Sequence, residues 1–294
     1  MQEIADDALD NDCSGGDLAA AAGPGYYVDQ GAATCSDSDA ARGTKAKPYC
    51  TIEKAVLDSY QVLPAKPDGH AFFVAKGTYP LFLGMPKSIR LYGGYDGATW
   101  TYGEANETVI DGGDFLESSD GHACRVGPGC SAQCVCVDYE AWVAINVDAN
   151  AVLSGFTIKG GVRAGKPITS VLVNSSGHVT LARDVITGGA GVQSVTVQIP
   201  KTATDVWVLG SRITGGTPST STVFALNNLG KATLFGNRIA MGPGATGSYG
   251  AAVQNYGEMR LAANVLNPGD QGANVDDSYG LINVINNQKA FGGA

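Results

Sequence analysis

Between residues 151 and 294 one short phrase recurs at a nearly fixed interval, which an ordinary single-core fold does not produce. It reads Leu153-Ser154-Gly155-Phe156-Thr157-Ile158-Lys159-Gly160-Gly161, then Leu181-Ala182-Arg183-Asp184-Val185-Ile186-Thr187-Gly188-Gly189. It returns from Val208 to Gly216 around Ile213, from Leu234 to Gly242 around Ile239, and from Leu261 to Gly269 around Leu266. The aligned positions 158, 186, 213, 239 and 266 lie 28, 27, 26 and 27 residues apart. A period of that size marks stacked supersecondary units. Such an array grows by adding coils and escapes the usual limit on single-core size, so the reading is one elongated domain over 26–294 behind an acidic leader over 1–25. Ile158, Ile186, Ile213, Ile239 and Leu266 are expected to form one inward-facing stack.

Upstream of the repeats, Phe72-Phe73-Val74, Ile89-Arg90-Leu91 and Val109-Ile110 are short β-prone runs between glycine turns. No helical pattern separates them, as a βαβ protein would require. Parallel strands need a covered crossover, and a solenoid supplies it by using the rest of each coil as the return path. A period near 27 leaves room for three strands of about 4 to 6 residues and their turns. One amphipathic helix is expected over about 51–63, with Thr51 as N-cap, Glu53 in the first turn and Pro64 as its stop. There it would cover the open end of the solenoid. The regular coils run over 143–290.

The order Tyr26-Tyr27-Val28, a loop, Gly43-Thr44, Pro48, Thr51-Ile52, Ala55, then Phe73-Val74-Ala75 and Gly77-Thr78-Tyr79 resembles the start of right-handed parallel β-helix proteins of the pectin-lyase-like superfamily. Leu91-Tyr92-Gly93-Gly94-Tyr95-Asp96 through Trp100 to Val109-Ile110-Asp111-Gly112 is similar to a segment of bacterial surface members of that group. The resemblance spans about residues 26–290 and implies an all-β, right-handed parallel β-helix. It implies no single activity, because the superfamily contains lyases, hydrolases, adhesins and structural proteins.

Seven cysteines, at 13, 35, 50, 124, 130, 134 and 136, all precede the repeats and sit in Gly-, Ser- and Asp-rich surroundings. That placement reads as disulfides in an oxidising compartment, hence an extracellular or bacterial-surface protein whose export signal is not read in this chain. Cys35 and Cys50 bracket the loop into the helix, and their pairing would pin the cap. Cys124, Cys130, Cys134 and Cys136 fall in a break in the pattern over about 113–140. Their spacing is not that of two zinc knuckles, so a disulfide-stapled surface insertion is expected. Cys13 is the odd one out.

The leader carries Asp10, Asp12, Ser14 and Asp17. Oxygen side chains at alternate positions ahead of a glycine turn suit a hard cation such as calcium. Asp10-Asn11-Asp12-Cys13 resembles the short Asp-Asn-Asp-Cys metal-binding motif near the start of many bacterial secreted surface proteins, although Ser14-Gly15 stands where that motif continues Asp-Gly. The other reading is a solvated acidic leader.

The formal charge of −9 disfavours a nucleic-acid or anionic-membrane partner, and no run approaches the length of a membrane span. Acids are sparse in the coils. Asp184 aligns with Ser211, Asn237 and Asn264, so no carboxylate pair of glycosidase type forms in its column. Arg212 and Arg238 stack without an acidic partner column, and His178 stands alone on a turn. No catalytic residue is assigned, and the balance leans against an enzyme. Tyr92, Tyr95, Trp100 and Tyr102 concentrate aromatics in one glycine-rich stretch. They are candidate carbohydrate contacts or loop-packing residues. Asn146, Asn174, Asn227, Asn228 and Asn255 near matching turns read as a stacked amide ladder or as turn residues tolerant of left-handed geometry. The expected function is a non-catalytic extracellular structural or adhesive β-helix, self-associating through its solenoid ends. The alternative is a polysaccharide-active enzyme or carbohydrate-binding module.

Overall fold

The computed structural model describes residues 4–7, 18–20, 25–63, 70–80, 83–85, 88–113, 115–117, 123–125, 142–148, 150–162, 165, 167–173, 176–242, 249–267, 273–276, 281–285 and 288–289. The repeated phrase folds alike in every coil. Its Leu or Val ends a strand with the side chain inward, a corner follows, and the Ile or Leu starts the next strand, again inward. The corner residues Gly155, Arg183, Gly210, Gly236 and Ala263 all have positive φ, between 54° and 79°. Glycine takes that bend freely, whereas a side chain there costs roughly 1–2 kcal/mol. The glycine pair closing the phrase has a different cause: a Cβ at Gly188 would run into the backbone of Gly216, and one at Gly216 into that of Gly189. Successive coils touch backbone to backbone at that turn.

Three parallel sheets of nine, eight and seven strands result. The first contains Tyr26–Val28, His70–Ala75, Ile89–Tyr95, Ala151–Ser154, His178–Ala182, Asp205–Leu209, Lys231–Phe235, Glu258–Ala262 and Leu281–Ile285. Among the described residues the coils lend one strand to each sheet in turn, the first and last contributing fewer, and consecutive coils pair in parallel. This is the right-handed parallel β-helix, the hand that twisted parallel strands adopt with short crossovers. Phe115–Glu117 and Ala123–Arg125 form a separate antiparallel pair inside the expected insertion.

In the second sheet Tyr79, Ile110, Ile158, Ile186, Ile213, Ile239 and Leu266 follow one another in register. None exceeds 5 % exposure. The expected inward stack is therefore present, extended upward by Tyr79 and Ile110. Burying each such side chain is worth about 1.5–3 kcal/mol. The helix α1, Ile52–Gln61, is capped by the Thr51 side chain, which accepts from the Lys54 N–H. Ile52, Ala55 and Val56 close the upper end of this core. Asp58 on its back is buried between Arg42 and Lys54, and burial alone would raise its carboxyl, but those partners and Tyr49 outweigh it and hold it below the usual range. Cys35 and Cys50 are bonded and pin the loop leading into the helix. Cys124 lies on the strand Ala123–Arg125, while Cys13, Cys130, Cys134 and Cys136 fall outside the described residues.

A buried polar ladder runs beside the corner, in the column noted above for its single acid. The Phe156 N–H donates to Asp184 Oδ1 at 2.9 Å, Asp184 N–H to Ser211 Oγ at 3.1 Å, Ser211 N–H to Asn237 Oδ1 at 2.8 Å and Asn237 N–H to Asn264 Oδ1 at 2.9 Å. Asn237 and Asn264 each donate a second bond from Nδ2, to the carbonyls of Val208 and Leu234 in the coil above. Asp184 has no amide to offer there, and its Oδ2 has no hydrogen-bond partner. Burial pushes its carboxyl well above the usual range, against the pull of the Phe156 N–H and Arg183. The neutral acid, which keeps a donor on that oxygen, suits the rung.

The amide ladder expected from Asn146, Asn174, Asn227, Asn228 and Asn255 needs correction. Asn228 and Asn255 are buried and joined, Nδ2 to Oδ1 at 2.7 Å. Asn227 instead shares a neighbouring column with Gln198, to which it donates at 3.0 Å. Asn146 pairs in register with Leu172 in that same column, because adjacent residues of a strand point to opposite faces. Asn174 lies outside the described residues.

Candidate functional site

The outer face of the first sheet gathers the polar and aromatic side chains that the core excludes. One outward column runs His178, Asp205, Lys231, Glu258, since His178 pairs with Asp205, Lys231 with Glu258, and the next residues Val206 and Ala232 with each other. Basic and acidic side chains alternate along it. His178 Nδ1 lies 2.6 Å from Asp205 Oδ2, and Lys231 Nζ 3.0 Å from Glu258 Oε2. The adjoining column runs Thr180, Trp207, Thr233, Arg260. Trp207 is half-buried, and its indole Nε1–H donates to Asp205 Oδ1 at 2.8 Å. Asp205 thereby joins an imidazole and an indole, whose rings are 6.3 Å apart. Burial works against the charged carboxyl, yet the bonds from His178 and Trp207 hold it below the usual range.

Trp207, Lys231, Glu258 and Arg260 line an open groove of about 490 Å³ across these strands. Its bed is polar, with one aromatic edge and charges of both signs. The sequence reading missed it. His178 does not stand alone: the 26- and 27-residue steps to Asp205, Lys231 and Glu258 are the repeat period itself, applied to charged residues instead of apolar ones.

Thr180 Oγ1 lies 2.9 Å from His178 Nε2. The order Thr180, His178, Asp205 thus has the connectivity of a nucleophile, its base and the carboxylate that orients the base. Thr180 is fully buried, however, at 0 % exposure, and its hydroxyl fixes the ring in place.

The upper part of the same face differs. Tyr92 and Tyr95 are 0 % and Trp100 3 % exposed, and Tyr102 is partly buried against them. Of the two readings of these aromatics, carbohydrate contacts or packing residues, their burial is that of packing residues. Their cover is the leader: Ala5 and Ala20 are buried against Tyr27, Phe73, Tyr92, Tyr95 and Trp100. Tyr27 Oη–H donates to the Ala20 carbonyl at 2.8 Å and Tyr95 Oη–H to Asp6 Oδ2 at 2.7 Å. Arg183 Nη2 donates to the Ala5 carbonyl at 2.6 Å. The leader residues expected to hold a cation, Asp10, Asp12, Ser14 and Asp17, lie outside the described residues. Among the described residues no cluster of three or more His, Cys, Asp or Glu is arranged to hold a metal ion, and no helix is long and apolar enough to cross a membrane.

Residues 35–287 match the family model described as a protein of unknown function, DUF1565. Among solved structures the chain is similar to the pectin methylesterase from carrot, at 12 % identity and a TM-score of 0.48, over 92 % of this chain and 84 % of that one. The deglycosylated pectin methylesterase from Aspergillus niger gives 16 % and 0.44, over 94 % and 89 %. That from Erwinia chrysanthemi gives 10 % and 0.34, over 92 % and 90 %. Likenesses this distant transfer no activity. No curated protein matches the chain. Matched in sequence over most of its length and wound as a parallel β-helix, the chain belongs to the DUF1565 family.

Proposed function

We propose that the protein is a non-catalytic extracellular adhesive β-helix that holds a polysaccharide in the groove over Trp207. The observation that carries this reading is the groove itself: an indole fixed by a hydrogen bond to Asp205 beside alternating charges, on an open sheet face that an extended chain can follow. Aromatic faces stack on sugar rings, and flanking polar groups orient the hydroxyls. Both carboxylates at the groove are engaged, Asp205 by His178 and Trp207 and Glu258 by Lys231. Asp205 is held ionised, whereas a general acid must be held protonated near neutral pH. The Cys35–Cys50 disulfide supports an oxidising compartment.

The test is a panel of neutral and uronic hexasaccharides titrated against the wild-type chain and Trp207→Ala by calorimetry. Binding by the wild type and its loss in the variant supports the proposal. New reducing ends, methanol release or unsaturated products absorbing in the near ultraviolet would favour the enzyme reading instead.

Self-association at the lower end is part of the same proposal. Among the described residues the last strands, Leu281–Ile285, Gln288–Lys289 and Ala273–Asp276, each pair on one side only, and such edges accept partners. Light scattering that shows a monomer over a wide concentration range would remove it. Calcium at Asp10 and Asp12 is likewise proposed, checked by a calcium-dependent rise in Tm that Asp10→Ala/Asp12→Ala abolishes.

A further inference from the structure

The corner residue of each coil poses a question. Gly155, Gly210 and Gly236 take the left-handed bend that suits glycine and Ala263 takes it with a methyl group, whereas the corner between Gly155 and Gly210 carries the long side chain of Arg183, at φ 56°. What sets Arg183 apart is where its side chain goes. The guanidinium reaches back 178 residues to the Ala5 carbonyl and 177 to that of Asp6, at 2.6 and 3.4 Å, and it lies 4.6 Å from the centre of the Tyr102 ring. It also donates to Ser154 Oγ.

We infer that residues 4–7 and 18–20 form a displaceable strap, latched by Arg183, over an aromatic continuation of the groove.

Three observations carry this. The latch grips backbone carbonyls, and the side chains laid on the aromatics are those of Ala5 and Ala20. The seat beneath, Tyr92, Tyr95 and Trp100, has the ring-rich chemistry that accepts a sugar as readily as a small apolar side chain. The two surfaces are also one: the outward column of Tyr27, Phe73, Tyr92, Ser154, Ala182, Leu209 and Phe235 runs in register down the sheet past Trp207. From the strand of Tyr92 to that of Trp207 is three strand steps, roughly 14 Å. A polysaccharide lying along the axis and longer than the groove meets the strap next, so strap and ligand compete. This rests on the groove reading for its ligand class, a polysaccharide, but not for the latch.

The experiment uses the full chain and Arg183→Gly, which installs the residue native to the neighbouring corners and so preserves the coil. Hydrogen exchange is followed at the Asp6 N–H, bonded to the Leu18 carbonyl, and at the Ala20 N–H, bonded to Asp6 Oδ2. Both are expected to exchange at least tenfold faster in the variant, with Ile213 unchanged. Arg183→Lys, which keeps a charge but not the fork, should fall between. Unchanged exchange at Asp6 and Ala20 overturns the latch.

The same two proteins are titrated with the hexasaccharide panel, where Arg183→Gly is expected to bind at least threefold more tightly. If the wild type binds and the variant, with its strap freed, binds equally, the competition is overturned while the groove reading stands. If the wild type binds nothing and the variant binds, the groove reading falls and this one stands.

Discussion

The two halves of one sheet face have solved the same problem in opposite ways. Both present side chains that cannot enter the core. The upper half presents rings and is covered, with Tyr92, Tyr95 and Trp100 almost wholly buried under Ala5 and Ala20. The lower half presents charges paired along the sheet and is open, with Lys231, Glu258 and Arg260 exposed. A contiguous aromatic patch left bare invites association, whereas a ladder of alternating charge satisfies itself and tolerates water. What a β-helix can leave uncovered is therefore decided by whether its outward columns complete their own interactions.

The comparison rests on a shared interior, and the largest effect comes from breaking that. Ile213→Asn should destabilise by about 3–5 kcal/mol, through lost packing and an unpaired buried amide. Both halves should lose protection together, with a lower Tm; loss confined to the lower half would show that the halves fold as separate units. Next, Cys35→Ser with Cys50→Ser opens a loop whose closure over 15 residues is worth about 3 kcal/mol. Here the loss should be one-sided, with exchange rising around Tyr27 and Phe73 before the strand of Trp207.

Asp184→Asn bears on the seam between the halves and should stabilise by about 1 kcal/mol at neutral pH, by supplying the missing amide donor. The sign follows from the raised carboxyl. The folded state binds the proton more tightly than the unfolded one, so the contribution of Asp184 is full below the ordinary carboxylate range and lost as pH rises toward the folded value. The wild type should therefore weaken with rising pH more than the variant does, and parallel curves of Tm against pH would refute the neutral rung. The smallest effect is that of Trp207→Ala, under about 1.5 kcal/mol on stability because the ring is only partly buried. Its consequence should be confined to ligand binding, and a large fall in Tm would recast Trp207 as a structural residue.

Much of this was legible in the chain. The Ile158 to Leu266 column announces itself because one residue class recurs at one period, and Thr51 and the Cys35–Cys50 bracket mark the cap by local chemistry alone. The buried ladder was visible as a column but not as a device, since Asp184, Ser211, Asn237 and Asn264 share a role across three residue types. The groove was hidden for a similar reason: His178, Asp205, Lys231 and Glu258 become neighbours only once the corners fix the register. The strap was least legible. The residues it lays on the rings are alanines with no chemistry of their own, and its tie to Arg183 spans more than half the chain.

The ladder beside the corner also has a direction. Its hydrogen bonds run along the rod, so a pull on the two ends of an adhesive molecule loads them in series. The link from Asn237 to Asn264 carries a main-chain and a side-chain bond, whereas those from Phe156 to Asp184, from Asp184 to Ser211 and from Ser211 to Asn237 carry one each. Under tension the ladder should part first above Asn237, in the span where the strapped half meets the open one. The first step in a force–extension trace should accordingly leave the coils below Asn237 intact.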